Sequence, residues 1–150
     1  MSSLQTARFS LPLLSPGQAS KEVFHNEALS LIDFLLHPVV ENIANDPQLL
    51  SPGEGQSWLV GTSPLGEWQE HSGHIAGWTA GGWRYIRPQE NMRIVVSDER
   101  KTLIYRDNLW VSVGAILPPA GGSNIDPEAR VAIDSILDIL QLLRIAPDGL

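Results

Sequence analysis

All five tryptophans of this 150-residue chain fall between Trp58 and Trp110, in short runs rich in β-branched and aromatic residues. "SWLVG", "HIAGW", "WRYIRP", "RIVVS", "TLIYR" and "LWVSV" are each too short for a helix, and Gly, Pro, Asn or Asp separates them. A segment of this kind is expected to form a small antiparallel β unit of hairpins. Several turns stand directly ahead of a tryptophan, as in Gly66-Glu67-Trp68, Gly81-Gly82-Trp83 and Asp107-Asn108-Leu109-Trp110, but the spacing is too irregular for a true repeat. In "GGWRYIRP", Trp83 and Tyr85 alternate onto one side of a strand, leaving Arg84 and Ile86 on the other.

Helical patterns flank this unit. Ser15-Pro16-Gly17-Gln18 reads as a helix start, with Ser15 as cap, Pro16 at the first position and Gln18 reaching back. Ala19, Val23, Phe24, Ala28, Leu31, Ile32 and Leu35 then recur at three- and four-residue steps, with Lys21, Glu22, His25, Asn26, Glu27 and Asp33 largely elsewhere. Pro38 ends the helix at about His37. Residues 4–14 read as an extended arm outside any core. After the turn-rich "LPPAGGSN", Asp126 caps a second helix with Pro127 at its first position, expected to run to about Ile145. Ile133, Ile136, Leu140 and Leu143 make a heptad-like stripe, which Leu137, Ile139, Leu142 and Arg144 broaden. The expected fold class is α+β in three parts: an arm and oligomerisation helix over 1–50, a β domain over 51–116 starting at "SPGEGQ", and a linker and apolar helix over 117–150.

Composition removes whole classes of function. A net charge of -7 opposes binding to nucleic acid, which needs clustered Lys and Arg. With no cysteine there are no disulfides, thiol catalysis or Cys-type zinc sites. The one apolar run near the N-terminus, "LPLL", is too short for a signal peptide, and no stretch approaches a membrane span, so a protein made in the cytoplasm is expected. Glu22-x-x-His25 and His71-x-x-His74, even with Glu70, fall short of a converging ligand set, so no metal or other cofactor is expected. "SDERKT" reads as a charged hairpin turn rather than a carboxylate pair, no G-x-S-x-G elbow is present, and "PPAGGSN" lacks a phosphate-binding lysine. The chain is read as a non-enzyme, with a polysaccharide or cell-wall hydrolase working through Glu70 or His71 as a remote alternative.

The aromatic residues leave a sharper question. In so small a sheet most of the tryptophans are expected to form the core, each burying on the order of 150–250 Å². Trp68 and Trp78, beside turns in weakly apolar surroundings, are expected to stay free; with Trp83 and Tyr85 they are the candidate carbohydrate contacts.

"LPLLSPGQASKEVFHNEALSLID", followed by "GQSWLVG", "GEWQEHSGHIAGWTAGGWRYIRP" and "LIYRDNLWV", resembles an uncharacterised domain family common in alphaproteobacterial prophages, tailed phages and gene transfer agents. The likeness spans roughly residues 9–113, and "PGQASKEVFHNEAL", Pro16 to Leu29, is its most specific element. It implies a virion component, a head spike or tail fibre that attaches to the host surface, with other virion proteins and host polysaccharide as partners and no catalysis. Joined to the apolar helical stripes, it leads to an expected fibrous homotrimer. Its interfaces would be Phe24, Ala28, Leu31 and Leu35 on the first helix, and Ile133, Ile136, Leu140 and Leu143 on the last.

Overall fold

The computed structural model describes residues 4–17, 19–112, 116–122 and 126–143, and the fold is α+β. The described residues form helices α1 (Lys21–Leu35) and α2 (Pro127–Leu142) and eight strands: β1 (Val39–Val40), β2 (Ile43–Ala44), β3 (Ser57–Val60), β4 (Ile75–Thr79), β5 (Gly82–Ile86), β6 (Arg93–Val96), β7 (Lys101–Arg106) and β8 (Leu109–Ser112). They make two four-stranded sheets, ordered β1-β6-β7-β8 and β2-β3-β4-β5. Three hairpins, β4–β5, β6–β7 and β7–β8, arise where the sequence places its turns. At the last of them Asp107 and Asn108 both take left-handed backbone, φ 50° and 62°, which suits a two-residue hairpin loop.

The sheets are mixed, not purely antiparallel. β1 pairs in parallel with β6, and β2 in parallel with β3. The chain leaving α1 thus places two residues in one sheet and, after Glu41-Asn42, two in the other. Backbone bonds secure the crossing: Glu41 N–H donates to Ser57 O, Leu59 N–H to Asn42 O and Asp98 N–H to Glu41 O. The β structure therefore begins at Val39, ahead of the turn-rich "SPGEGQ" expected to open it.

One core lies between the sheets and α1. Phe34, Val40, Leu59, Ile75, Ile86, Ile94, Val96 and Leu103 are all buried in it, and Leu31 packs against them. Gly77 allows the closest approach: a Cβ there would lie 2.6 Å from Cε2 and Cζ of Phe34, so the helix settles onto β4 only because the strand has no side chain at that point.

α1 starts later than the sequence suggests. Gly17, Ala19 and Ser20 have positive φ (97°, 55° and 66°), so the backbone around Pro16 forms a loop and the helix begins at Lys21. Ser15 does not cap it, and Glu22 Oε1 instead accepts from Gly17 N–H at 3.3 Å; the expected role of Gln18 lies outside the described residues.

The segment read as a free arm is docked. Asp33, off the apolar stripe of α1, is only 2% exposed, and its carboxylate accepts from Thr6 Oγ1 (2.7 Å), Arg8 N–H (2.8 Å) and Phe9 N–H (2.9 Å). The Arg8 guanidinium donates to the carbonyls of Asp33, Phe34 and His37, closing the C-terminal end of α1 where helix carbonyls lack partners. Asn26 exchanges two hydrogen bonds with the backbone of Leu14.

α2 begins as expected, with the Asp126 carboxylate accepting from Ala129 N–H at 3.0 Å. Its described part ends near Leu143; Arg144 and Ile145 lie outside the described residues. Leu137 is its only buried residue.

Candidate binding surface

The second sheet has two unlike faces, and strand alternation makes them so. Leu59, Ile75 and Ile86 point to the shared core, while Trp58, Val60, Ala76, Trp78, Trp83 and Tyr85 point the other way. Arg84, on the core side of β5, reaches α1, its Nε 2.6 Å from Glu27 Oε1. Trp83 and Tyr85 thus share the face expected of them, opposite Arg84 and Ile86.

On the outer face, Trp83 is the hub. Trp58, Trp68 and Trp78 meet it edge-to-face at centroid separations of 5.6, 5.0 and 4.9 Å, the arrangement that aromatic quadrupoles favour. Tyr85 is sandwiched beside them: His71 stacks on its ring at 3.5 Å and 10°, and its hydroxyl donates to Glu67 O at 3.2 Å. Burial raises the Tyr85 hydroxyl pKa above its ordinary value, with the Glu67 charge adding to the effect. For His71, burial lowers the pKa, the neighbouring His74 lowers it further, and Glu70 partly opposes both.

Trp68 corrects the reading from sequence. It has 0% exposure, because the short 3-10 turn Gly66–Trp68 folds over the outer face and drives the indole into the tryptophan cluster. It is core, not a free ring. Its Nε1–H is buried without a hydrogen-bond partner among the described residues. Trp78 remains half-buried at the margin of the cluster, and its indole N–H is unbonded among the described residues.

Trp78 and Trp83 line an open groove of about 480 Å³ together with Pro47 and Leu50. Gln48, Ser51 and Glu67 also line it, and all three are exposed. The 3-10 turn Pro47–Leu49 holds Pro47 and Gln48 in place, with the Asp46 side chain accepting from Gln48 N–H at 2.9 Å. These lining residues went unnoticed in the sequence, although Asp46-Pro47 is a legible capping pair. A second concavity, of about 250 Å³, lies between the arm, α1 and the β4–β5 turn, with Asn26, Ser30, Glu54 and Arg84 among the residues that line it.

A family model described as a protein of unknown function, DUF2793, matches residues 25–111, more than half of the chain. The chain belongs to the DUF2793 family. No curated protein matches it. The DUF2793 match covers most of α1, both sheets and the aromatic face, and stops one residue short of the end of β8. It takes in only His25 to Leu29 of the "PGQASKEVFHNEAL" stretch, and neither the arm nor α2.

The remaining candidates are distributed over this DUF2793 fold as follows. Phe24, Ala28 and Leu35 are exposed on α1, Phe24 at 80%, whereas Leu31 turns into the core and is not on the open face. On α2, Ile133, Ile136 and Leu143 are exposed and Leu140 is half-buried. His71 and His74 meet edge-on at 5.3 Å, and among the described residues no three His, Asp or Glu side chains come together as a metal site. No described helix is long and apolar enough to cross a membrane.

Proposed function

We propose that this DUF2793 protein is a non-enzymatic structural component of a phage or gene-transfer-agent particle, a head spike or tail fibre protein that assembles as a homotrimer and serves attachment to the host surface. The observation that supports the assembly is the uncovered apolar surface of both helices. α1 leaves Val23, Phe24, Ile32 and Leu35 open, and α2 leaves Val131, Ile133, Ile136, Ile139 and Leu142 open while burying Leu137 alone. A 16-residue helix with so little of its apolar surface covered has small stability of its own. Each large side chain that a neighbour covers contributes roughly 1.5–3 kcal/mol, and patches of this extent mark interaction sites. The family likeness of the motif from Pro16 to Leu29 supports the particle, with other virion proteins as further partners and neither nucleic acid nor membrane among them.

Sedimentation of the full chain at micromolar concentration tests the assembly. The expected mass is three times the 16.4 kDa protomer. Phe24→Glu combined with Ile136→Glu is expected to return the protomer mass while the cooperative thermal unfolding of the β core persists, since both side chains are exposed within one chain. A native chain that sediments as a stable protomer refutes the trimer. Purified particles that lack the chain by mass spectrometry refute the virion placement.

A further inference from the structure

We infer that the groove beside Trp78 binds a neutral polysaccharide, with the indole as the stacking platform and Gln48, Ser51 and Glu67 as partners for sugar hydroxyls. This identification of the attachment ligand rests on the attachment half of the function proposed above and does not depend on the trimer.

Four observations converge on that ligand. The first is the ring itself. Trp78 is held edge-to-face against Trp83 at 4.9 Å and 70°, so it offers a rigid apolar surface and gives up little freedom when a ligand stacks on it. The C–H face of a pyranose ring is the apolar surface such an indole suits, and the indole N–H, unbonded among the described residues, adds a donor at its edge.

The second is the polar lining. Gln48, Ser51 and Glu67 bring an amide, a hydroxyl and a carboxylate to one groove, and none of the three side chains has a hydrogen-bond partner among the described residues. Both donors and acceptors are therefore free, as ligands with many vicinal hydroxyls require and as apolar ligands do not.

The third is charge. Glu67 is the one charged side chain on this groove among the described residues, and the chain carries a net charge of -7. Uronic acids, sulfates and phosphates would meet repulsion of the same sign locally and at long range. A neutral glycan meets none, and a carboxylate is a strong acceptor for its hydroxyls.

The fourth is shape. The groove is open rather than enclosing, which suits a sugar within a polysaccharide chain that continues beyond it. Trp68, fully buried, takes no part, and Trp83 and Tyr85 act by fixing the platform and the Glu67 backbone.

Affinity electrophoresis of the full chain tests the inference, in native gels cast with dextran, mannan or galactomannan and, as the acidic control, alginate. Retardation by at least one neutral polymer and none by alginate is expected. Trp78→Ala is expected to weaken retardation about tenfold or more, while Trp78→Phe keeps part of it. Because Trp78 also packs on Trp83, the exposed pair Gln48→Ala with Glu67→Ala serves as the second variant; it is expected to weaken retardation with an unchanged melting temperature. Retardation that survives both Trp78→Ala and the polar pair overturns the site. A native chain that none of the three neutral polymers retards, or that alginate alone retards, overturns the ligand. The sedimentation mass of the same sample reports separately on the trimer, so a failed glycan does not count against assembly, nor a protomer against the glycan.

Discussion

Replacing Asp33 by alanine is expected to release the N-terminal arm at a cost of about 3 kcal/mol. The carboxylate accepts three hydrogen bonds, and they differ in worth. Thr6 is 7% exposed, so its hydroxyl loses a buried acceptor with little access to water, a loss of about 1–3 kcal/mol. The amides of Arg8 and Phe9 are half-buried and can turn to water, which limits each to about 0.5–1 kcal/mol. Asp33→Asn separates these contributions. Oδ1 accepts from both Thr6 and Phe9, and Oδ2 accepts from Arg8 alone. An asparagine with its oxygen at the Oδ1 position keeps two of the three bonds and turns an NH₂ toward the Arg8 N–H, so its cost should be nearer 1–2 kcal/mol. Urea unfolding midpoints measure both variants, and amide exchange at Arg8 and Phe9 reports the arm directly. If Asp33→Ala costs less than about 1 kcal/mol and those two amides stay as protected as in the native chain, the buried carboxylate is not what holds the arm.

Two further perturbations probe the core and the aromatic face. Gly77→Ala places a methyl group 2.6 Å from the Phe34 ring in a closed core and should destabilise by about 1–3 kcal/mol in thermal unfolding, a penalty that should shrink in a Phe34→Leu background because the clashing ring atoms are gone. His71 has a lowered pKa in the folded state, so the unfolded chain binds more protons as pH falls through about 6.5. Stability should be full above that pH and decline below it until the folded-state pKa is passed; His71→Gln should flatten this part of the stability profile, and an unchanged slope would show that another group sets it.

Local chemistry made part of this fold legible. The turns at Asp107-Asn108 and at "SDERKT" follow from residues that tolerate left-handed backbone or high polarity, and the two sides of β5 follow from simple alternation. The Asp126-Pro127 start of α2 was equally plain. Elements fixed from a distance were not. β1 and β2 are two residues each, too short for any period to show, and their parallel partners come from far along the chain. Asp33 reads as a polar residue off the apolar stripe until the arm brings three donors to it. Trp68 was misplaced for the same reason: Gly66-Glu67 does make a turn, but the turn lies across the outer face of a sheet, and the tertiary setting decides whether the ring beside it is wet or dry. Phe24, by contrast, lies on an open face because nothing within one protomer covers it.

The separation of these surfaces bears on how a weak glycan site would serve attachment. Gln48, Ser51, Glu67 and Trp78 lie on the 3-10 turns, their flanking loop and β4, whereas the open apolar faces belong to α1 and α2. Assembly through the helices, as proposed, would therefore leave the groove of each protomer outside the contact. An open groove with one principal aromatic platform gives modest affinity by itself, since only a small part of the ligand is enclosed. Three such grooves on the proposed trimer, facing a surface polymer that repeats the same sugar, would make the second and third engagements effectively intramolecular and raise overall binding by as much as about 10²–10⁴-fold with no new contact. The Phe24→Glu and Ile136→Glu protomer should then retain binding to a short oligosaccharide yet lose most of its retention on the polymer, and equal retention of protomer and trimer on the polymer would show that each groove works alone.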